Sequence, residues 1–152
     1  VQKEVEAPDD ITNLPRGQES ILLDDDEQTI LELGQELLES HGYSTLLATS
    51  GEEALQVYKA HHNHIDLVIL DVSMPGIGGY KCLERLIEIN PQVKALISSG
   101  YSADGKVKGA LKSGASGFIG KPYMIAELLH KVREILDMPT EPQALDNRDT
   151  PP

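Results

Sequence analysis

At 152 residues the chain is long enough for one domain with a full core and too short for two of ordinary size. Its formal net charge of −12, from 13 Lys and Arg against 25 Asp and Glu, argues against nucleic-acid binding and direct membrane contact, since either surface needs a basic patch to neutralise phosphates. The single cysteine, Cys82, excludes an internal disulfide and any multi-cysteine metal site, and no apolar run approaches the ~18 residues of a membrane span.

Residues 1–19 are polar, with two prolines and no apolar period, and read as a linker or disordered tail. Ser20 to Leu23 is a short strand followed at once by Asp24, Asp25, Asp26 and Glu27. Ile30, Leu31, Leu33, Leu37 and Leu38 then recur at helical spacing until Gly42. Tyr43 to Ala48 is a second strand. Ser50 caps a helix over 52–60, with Glu52 and Glu53 well placed in its first turn. His61, His62 and His64 follow without an acidic or sulfur partner at ligand spacing, and read as an exposed helix exit rather than a metal site.

Leu67 to Leu70 is an unbroken apolar run, too short for a helix, which suits a parallel strand buried on both faces. Asp71 ends it, and Pro75, Gly76, Gly78 and Gly79 keep the chain irregular just beyond. A third helix over 80–89, carrying Cys82 as a structural thiol, stops at Asn90-Pro91. Val93 to Ile97 forms the fourth strand, closed by Ser98-Ser99-Gly100. The helix over 102–113 has two glycines and few large apolar groups, so it is expected to be the softest element. A short fifth strand at Phe118-Ile119 leads to Gly120-Lys121-Pro122, and Met124 to Leu136 is the last amphipathic helix. Residues 137–152, with several prolines and scattered charges, read as a disordered tail. One domain over 20–136 is thus expected, with strands and helices alternating into an α/β fold whose parallel sheet is covered on both faces.

Several polar groups fall at one edge of that sheet, each at a strand's carboxyl end: Asp25 and Asp26, Asp71, Ser99 and Lys121. Open α/β folds place their ligand sites at this edge. Taken singly, Asp71 is a turn former, Ser99 a strand-end cap and Lys121 a surface lysine. Together they place three carboxylates where mutual repulsion calls for a cation, and oxygen-only ligands favour Mg²⁺ or Mn²⁺ over zinc. A metal beside a carboxylate, a lysine and a hydroxyl is what transfer of a phosphoryl group onto aspartate needs.

These residues resemble the receiver domain of two-component response regulators over about residues 19–137. The likeness is carried by Ile21-Leu22-Leu23 running into Asp25-Asp26-Glu27, by Leu70-Asp71 with Met74-Pro75-Gly76, by Ser99-Gly100, by Phe118 and by Lys121-Pro122, all in order. The resemblance implies a flavodoxin-like (CheY-like) fold: a five-stranded parallel sheet in the order 2-1-3-4-5 with five helices on both faces. It implies that Asp71 is the phosphoacceptor, that Asp26 binds the metal directly and Asp25 through water with the Ser73 carbonyl as a further ligand, and that Lys121, joined to Pro122 by a cis bond, holds a phosphoryl oxygen. Ser99 and Phe118 become the switch pair. The implied partners are a histidine kinase or a histidine phosphotransfer protein, with a homodimer through the fourth helix, fifth strand and fifth helix. Such a domain catalyses its own phosphorylation and slow dephosphorylation.

The valine start and the segment Leu14-Pro15-Arg16-Gly17 look like the linker before the C-terminal receiver of a hybrid histidine kinase, the alternative being a stand-alone regulator; either places the domain in the cytoplasm. Two departures stand out. Asp24 replaces an apolar residue and is expected to face solvent, the alternative being a perturbed metal site, and Phe118 stands where tyrosine is also common, so the switch rests on packing. Two other readings compete. Asp24-Asp25-Asp26 meets the Asp-x-Asp pattern of haloacid-dehalogenase-type metal-dependent phosphatases, although Gln28 and the lack of a late acidic pair depart from it. A receiver-like domain that only binds partners is the second.

Overall fold

The computed structural model describes residues 13–72, 78–100, 109 and 111–139. In chain order the elements are β1 (Ser20–Asp24), α1 (Gln28–Glu39), β2 (Ser44–Ala48), α2 (Gly51–His61), a 3₁₀ turn (His62–His64), β3 (Leu67–Asp71), α3 (Gly78–Ile89), β4 (Ala95–Ser99), β5 (Gly117–Gly120) and a C-terminal helix (Ile125–Leu136). Most of the helix expected over 102–113, the loop carrying Ser73, and residues 1–12 and 140–152 lie outside the described residues.

The five strands form one parallel sheet in the order β2-β1-β3-β4-β5. Every residue of β3 and β4 is buried, as the unbroken apolar run over 67–70 requires. Alternation along the strands divides the core in two. Leu22, Val68, Leu70, Ala95 and Ile97 face α2 and α3 with Cys82, Leu83 and Leu86, whereas Ile21, Leu23, Leu67, Ile69, Leu96 and Ile119 face α1 and the C-terminal helix with Leu31, Leu38, Leu128 and Val132. Each such fully buried aliphatic side chain contributes about 1.5–3 kcal/mol of transfer free energy, so the central strands anchor the site built on their ends.

Local chemistry sets the boundaries. Ser50 accepts a hydrogen bond from the Glu53 amide at 3.1 Å, and Glu53 Oε1 accepts in return from the Thr49 amide at 2.8 Å, so both groups at the start of α2 are satisfied by neighbours. The fourth strand begins two residues later than the apolar run suggests. Val93 is held in a turn by its amide bond to the Asn90 carbonyl, and β4 gains Ser98 and Ser99, which pair with Ile119 and Gly120.

Packing also reaches upstream of Ser20. Leu14 is buried against the core on the C-terminal-helix face, and the Gly17 amide donates to the His41 carbonyl at 3.1 Å. Gly42 sits at φ +101°, where a Cβ would collide with the Gly17 carbonyl, so glycine is required there both by conformation and by space.

Candidate phosphoacceptor site

β1 and β3 are neighbours in the sheet, and this adjacency brings together carboxylates far apart in sequence. Asp25 follows β1 directly, and Asp71 is the last residue of β3. Asp25, Asp26 and Asp71 each present a carboxylate oxygen within 4.8 Å of the others; Asp25 and Asp71 are buried and Asp26 is exposed. Lys121, in the turn after β5, reaches over them: its Nζ donates to Asp25 Oδ2 at 3.0 Å and to Asp71 Oδ2 at 2.9 Å, with only 9% of the lysine side chain exposed. Its backbone amide is held by the Ser99 carbonyl at 3.1 Å, and the Lys121–Pro122 bond is cis.

Burial raises the pKa of the Asp25 carboxyl, opposed by hydrogen bonds from the Glu27 amide and from Lys121. For Lys121, burial works against the ammonium, but the hydrogen bonds to Asp71 and Asp25 outweigh it and hold its pKa above the ordinary lysine value. One ammonium thus faces three gathered carboxylates and leaves net negative charge at a partly open site. The donor set is all oxygen, which suits a hard divalent cation.

Asp24 corrects the expectation that it faces solvent. It is the last residue of β1 and alternates onto the face of Leu22, where it is completely buried, close enough to Cys82 to act on its thiol, and neither of its oxygens has a hydrogen-bond partner among the described residues. Burial, with Asp71, Asp25 and Glu53 nearby, pushes its carboxyl up to about 9, so it carries a proton at neutral pH. It does not belong to the carboxylate group around Lys121, as an Asp-x-Asp phosphatase reading requires.

Ser99 is buried at the end of β4, one strand over from Asp71, whose register partner is Ser98. Phe118 lies opposite Ile97, partly buried against the α2/α3 core. His61 ends α2 and His62 to His64 form the 3₁₀ turn after it, none of them buried, and Cys82 is buried with Sγ 3.6 Å from the Gly51 carbonyl and its thiol pushed up to about 12. Two groups that no motif announces are the buried hydroxyls of Ser98, next to Ser99 in β4, and of Tyr123, two residues past Lys121.

Residues 21–133 match the response regulator receiver domain family. The chain belongs to that family. It is 32% identical over 136 residues to the sensor kinase CckA of Brucella abortus, covering 90% of this chain and 14% of that protein. It is also 32% identical over 117 residues to the chemotaxis protein CheY of Treponema pallidum, covering 76% of this chain and 81% of that one. Among solved structures, the receiver fold is shared with the CheX–CheY–BeF₃–Mg²⁺ complex from Borrelia burgdorferi at TM-score 0.74 and 30% identity, over 84% of this chain and 94% of that one. The chain therefore spans about a seventh of the sensor kinase's length and most of the chemotaxis protein's. Neither the matches nor the placement of Asp24 supports the phosphatase reading. No described helix is long and apolar enough to cross a membrane.

Proposed function

We propose that this receiver domain is a phosphoacceptor switch in which Asp71 takes a phosphoryl group from the phosphohistidine of a histidine kinase or a phosphotransfer protein. The observation that carries the reading is the Lys121 ammonium shared between Asp25 and Asp71, with Asp26 within 4.8 Å. An Asp71 oxygen attacks phosphorus as the phosphorus–nitrogen bond of the donor breaks, and the departing imidazole nitrogen regains a proton. Lys121 neutralises a phosphoryl oxygen as charge spreads over it, and the buried walls around Asp71 restrict water at the acyl phosphate. Asp25, Asp26 and Asp71 are the residues that would hold Mg²⁺, which supplies charge neutralisation for the transferred group; Mn²⁺ fits the same oxygen set. The Ser73 carbonyl, the further ligand implied by the family pattern, lies outside the described residues.

Ser99, one strand from Asp71, then turns its hydroxyl toward the acyl phosphate and Phe118 repacks, biasing a two-state surface around β5 and the C-terminal helix that a partner or a second copy reads. The match to a sensor kinase supports a place as the receiver of a hybrid kinase, and the match to a chemotaxis protein supports a stand-alone regulator.

The test is labelling by acetyl phosphate with Mg²⁺ present. Wild type is expected to take up close to one phosphoryl group per chain and Asp71→Asn none. Equal labelling of the two moves the acceptor elsewhere, and no labelling of wild type by acetyl phosphate or by a phosphorylated phosphotransfer protein leaves a partner-binding module.

A further inference from the structure

Lys121 has a long flexible stem, yet its function needs the ammonium held between two particular carboxylates. The turn that carries it is fixed on one side by the Lys121 amide bonded to the Ser99 carbonyl. On the other side stands Tyr123, 5% exposed, whose ring lies over Gly34 of α1. A Cβ at Gly34 would stand 3.2 Å from Tyr123 Cε2 and 2.7 Å from Leu23 Cδ2, so glycine leaves the notch that the ring fills. The Tyr123 hydroxyl lies near that of Ser98 in β4, both are buried, and neither has a hydrogen-bond partner among the described residues. The phenol belongs to the residue two past Lys121, and the charges of Asp25, Lys121 and Asp71 all act on it.

We propose that Tyr123 is a positioning residue for Lys121: wedged between the Gly34 notch of α1 and Ser98 of β4, it fixes the turn from which the ammonium reaches Asp25 and Asp71. The inference rests on the phosphoacceptor reading for its consequence and on the packing alone for its geometry. A shift of about 1 Å in a group that meets the transferring phosphoryl is enough to slow the step by up to about a hundredfold. The same contact makes α1 part of the support of the site, because the floor under Tyr123 is a residue of that helix.

Two measurements on the full chain separate this role from simple core filling. The first is the ¹³Cε and ¹⁵Nζ signal of Lys121 without phosphodonor, assigned with Lys121→Arg. It is expected to stand apart from the other lysines in wild type and in Tyr123→Phe, and to move to the bulk lysine position in Tyr123→Ala and Gly34→Ala. The second is the acetyl phosphate labelling rate at saturating Mg²⁺, taken where circular dichroism shows each variant folded. Tyr123→Ala and Gly34→Ala are expected to slow it about tenfold and Tyr123→Phe less than about threefold. In a Lys121→Ala background Tyr123→Ala is expected to add no further loss, because it acts through the missing side chain. A Lys121 signal unmoved by Tyr123→Ala and Gly34→Ala, or the same slowing in both backgrounds, overturns the proposal. Should Tyr123→Ala not fold, Tyr123→Leu and Gly34→Ala decide by the same signal. A wild type that is never labelled removes the phosphoacceptor reading instead, and the Lys121 signal still decides the positioning.

Discussion

Arg133 of the C-terminal helix and Glu19, which lies 114 residues earlier, meet as a two-pronged pair, Nη1 to Oε1 at 3.1 Å and Nη2 to Oε2 at 2.7 Å. The same guanidinium also donates to Asp137, to the Tyr43 hydroxyl and to the Arg16 carbonyl. One side chain thus ties the segment before β1, the start of β2 and the end of the last helix.

Arg133→Ala is therefore expected to lower stability by about 1–2 kcal/mol, the lower end of the range for charge-assisted bonds because the pair is partly open to water. The Arg133 hydrogen bond holds the Glu19 carboxyl below its ordinary value against the opposing effect of burial. A depressed acid stabilises above its unfolded pKa and loses that contribution as pH falls through the folded one. The cost of Glu19→Gln, read as a urea midpoint, is expected to be full at pH 7 and to shrink below about pH 4; an equal cost at pH 7 and pH 3 counts against the pair.

Asp24 carries the opposite sign. Its folded pKa of about 9 lies above the unfolded value, so the folded state binds the extra proton and stability declines as pH rises from about 4 to 9. In chelator-treated buffer Asp24→Val is expected to stabilise the domain by about 1–3 kcal/mol at pH 7, with a larger gain at pH 8.5 and a smaller one at pH 5. Denaturant melts at the three values decide; a destabilised Asp24→Val means the carboxyl has a partner in solution.

Removing the Lys121 ammonium leaves Asp25 and Asp71 facing each other, both buried. Lys121→Ala is expected to cost up to about 3–5 kcal/mol without metal. Added Mg²⁺ is expected to raise the Tm of that variant more than that of wild type, since the ion replaces a lost charge as well as binding. Equal Mg²⁺ shifts in both proteins place the cation away from these carboxylates.

Gly42→Ala meets both a positive φ and the Gly17 carbonyl. A loss of more than about 2 kcal/mol is expected, above the 1–2 kcal/mol of backbone strain alone, and proteolysis between residues 13 and 19 is expected to speed up as the segment is displaced. A variant with wild-type Tm and the wild-type cleavage pattern means that this segment is not held by Gly42.

Asp25, Asp26, Asp71 and Lys121 were legible in the sequence because each follows a short apolar run, and a parallel sheet brings the carboxyl ends of such runs to one edge. The strand order came only with the family resemblance, since alternation of strands and helices is compatible with several orders. Asp24 carried an unused signal: two residues past Leu22 on a strand, it shares that residue's core face. Its charge suggested solvent, and the strand continued instead. Leu14 sits in a polar, proline-containing stretch with no sustained apolar period, and its place in the core comes only from the tertiary fold. The notch between Gly34 and Tyr123 joins residues whose contact exists only once α1 lies on the sheet.

The Lys94 ammonium holds the Leu136 and Met138 carbonyls at the start of β4, and Gly17 is pinned beside the end of α1 at the start of β2. Both flanks of the folded unit are thus moored at the rim where the strands begin, while the acidic triad occupies the rim where they finish. Gly17 and Met138, near the two ends of the described residues, therefore lie at the pole opposite Asp25, Asp26 and Asp71.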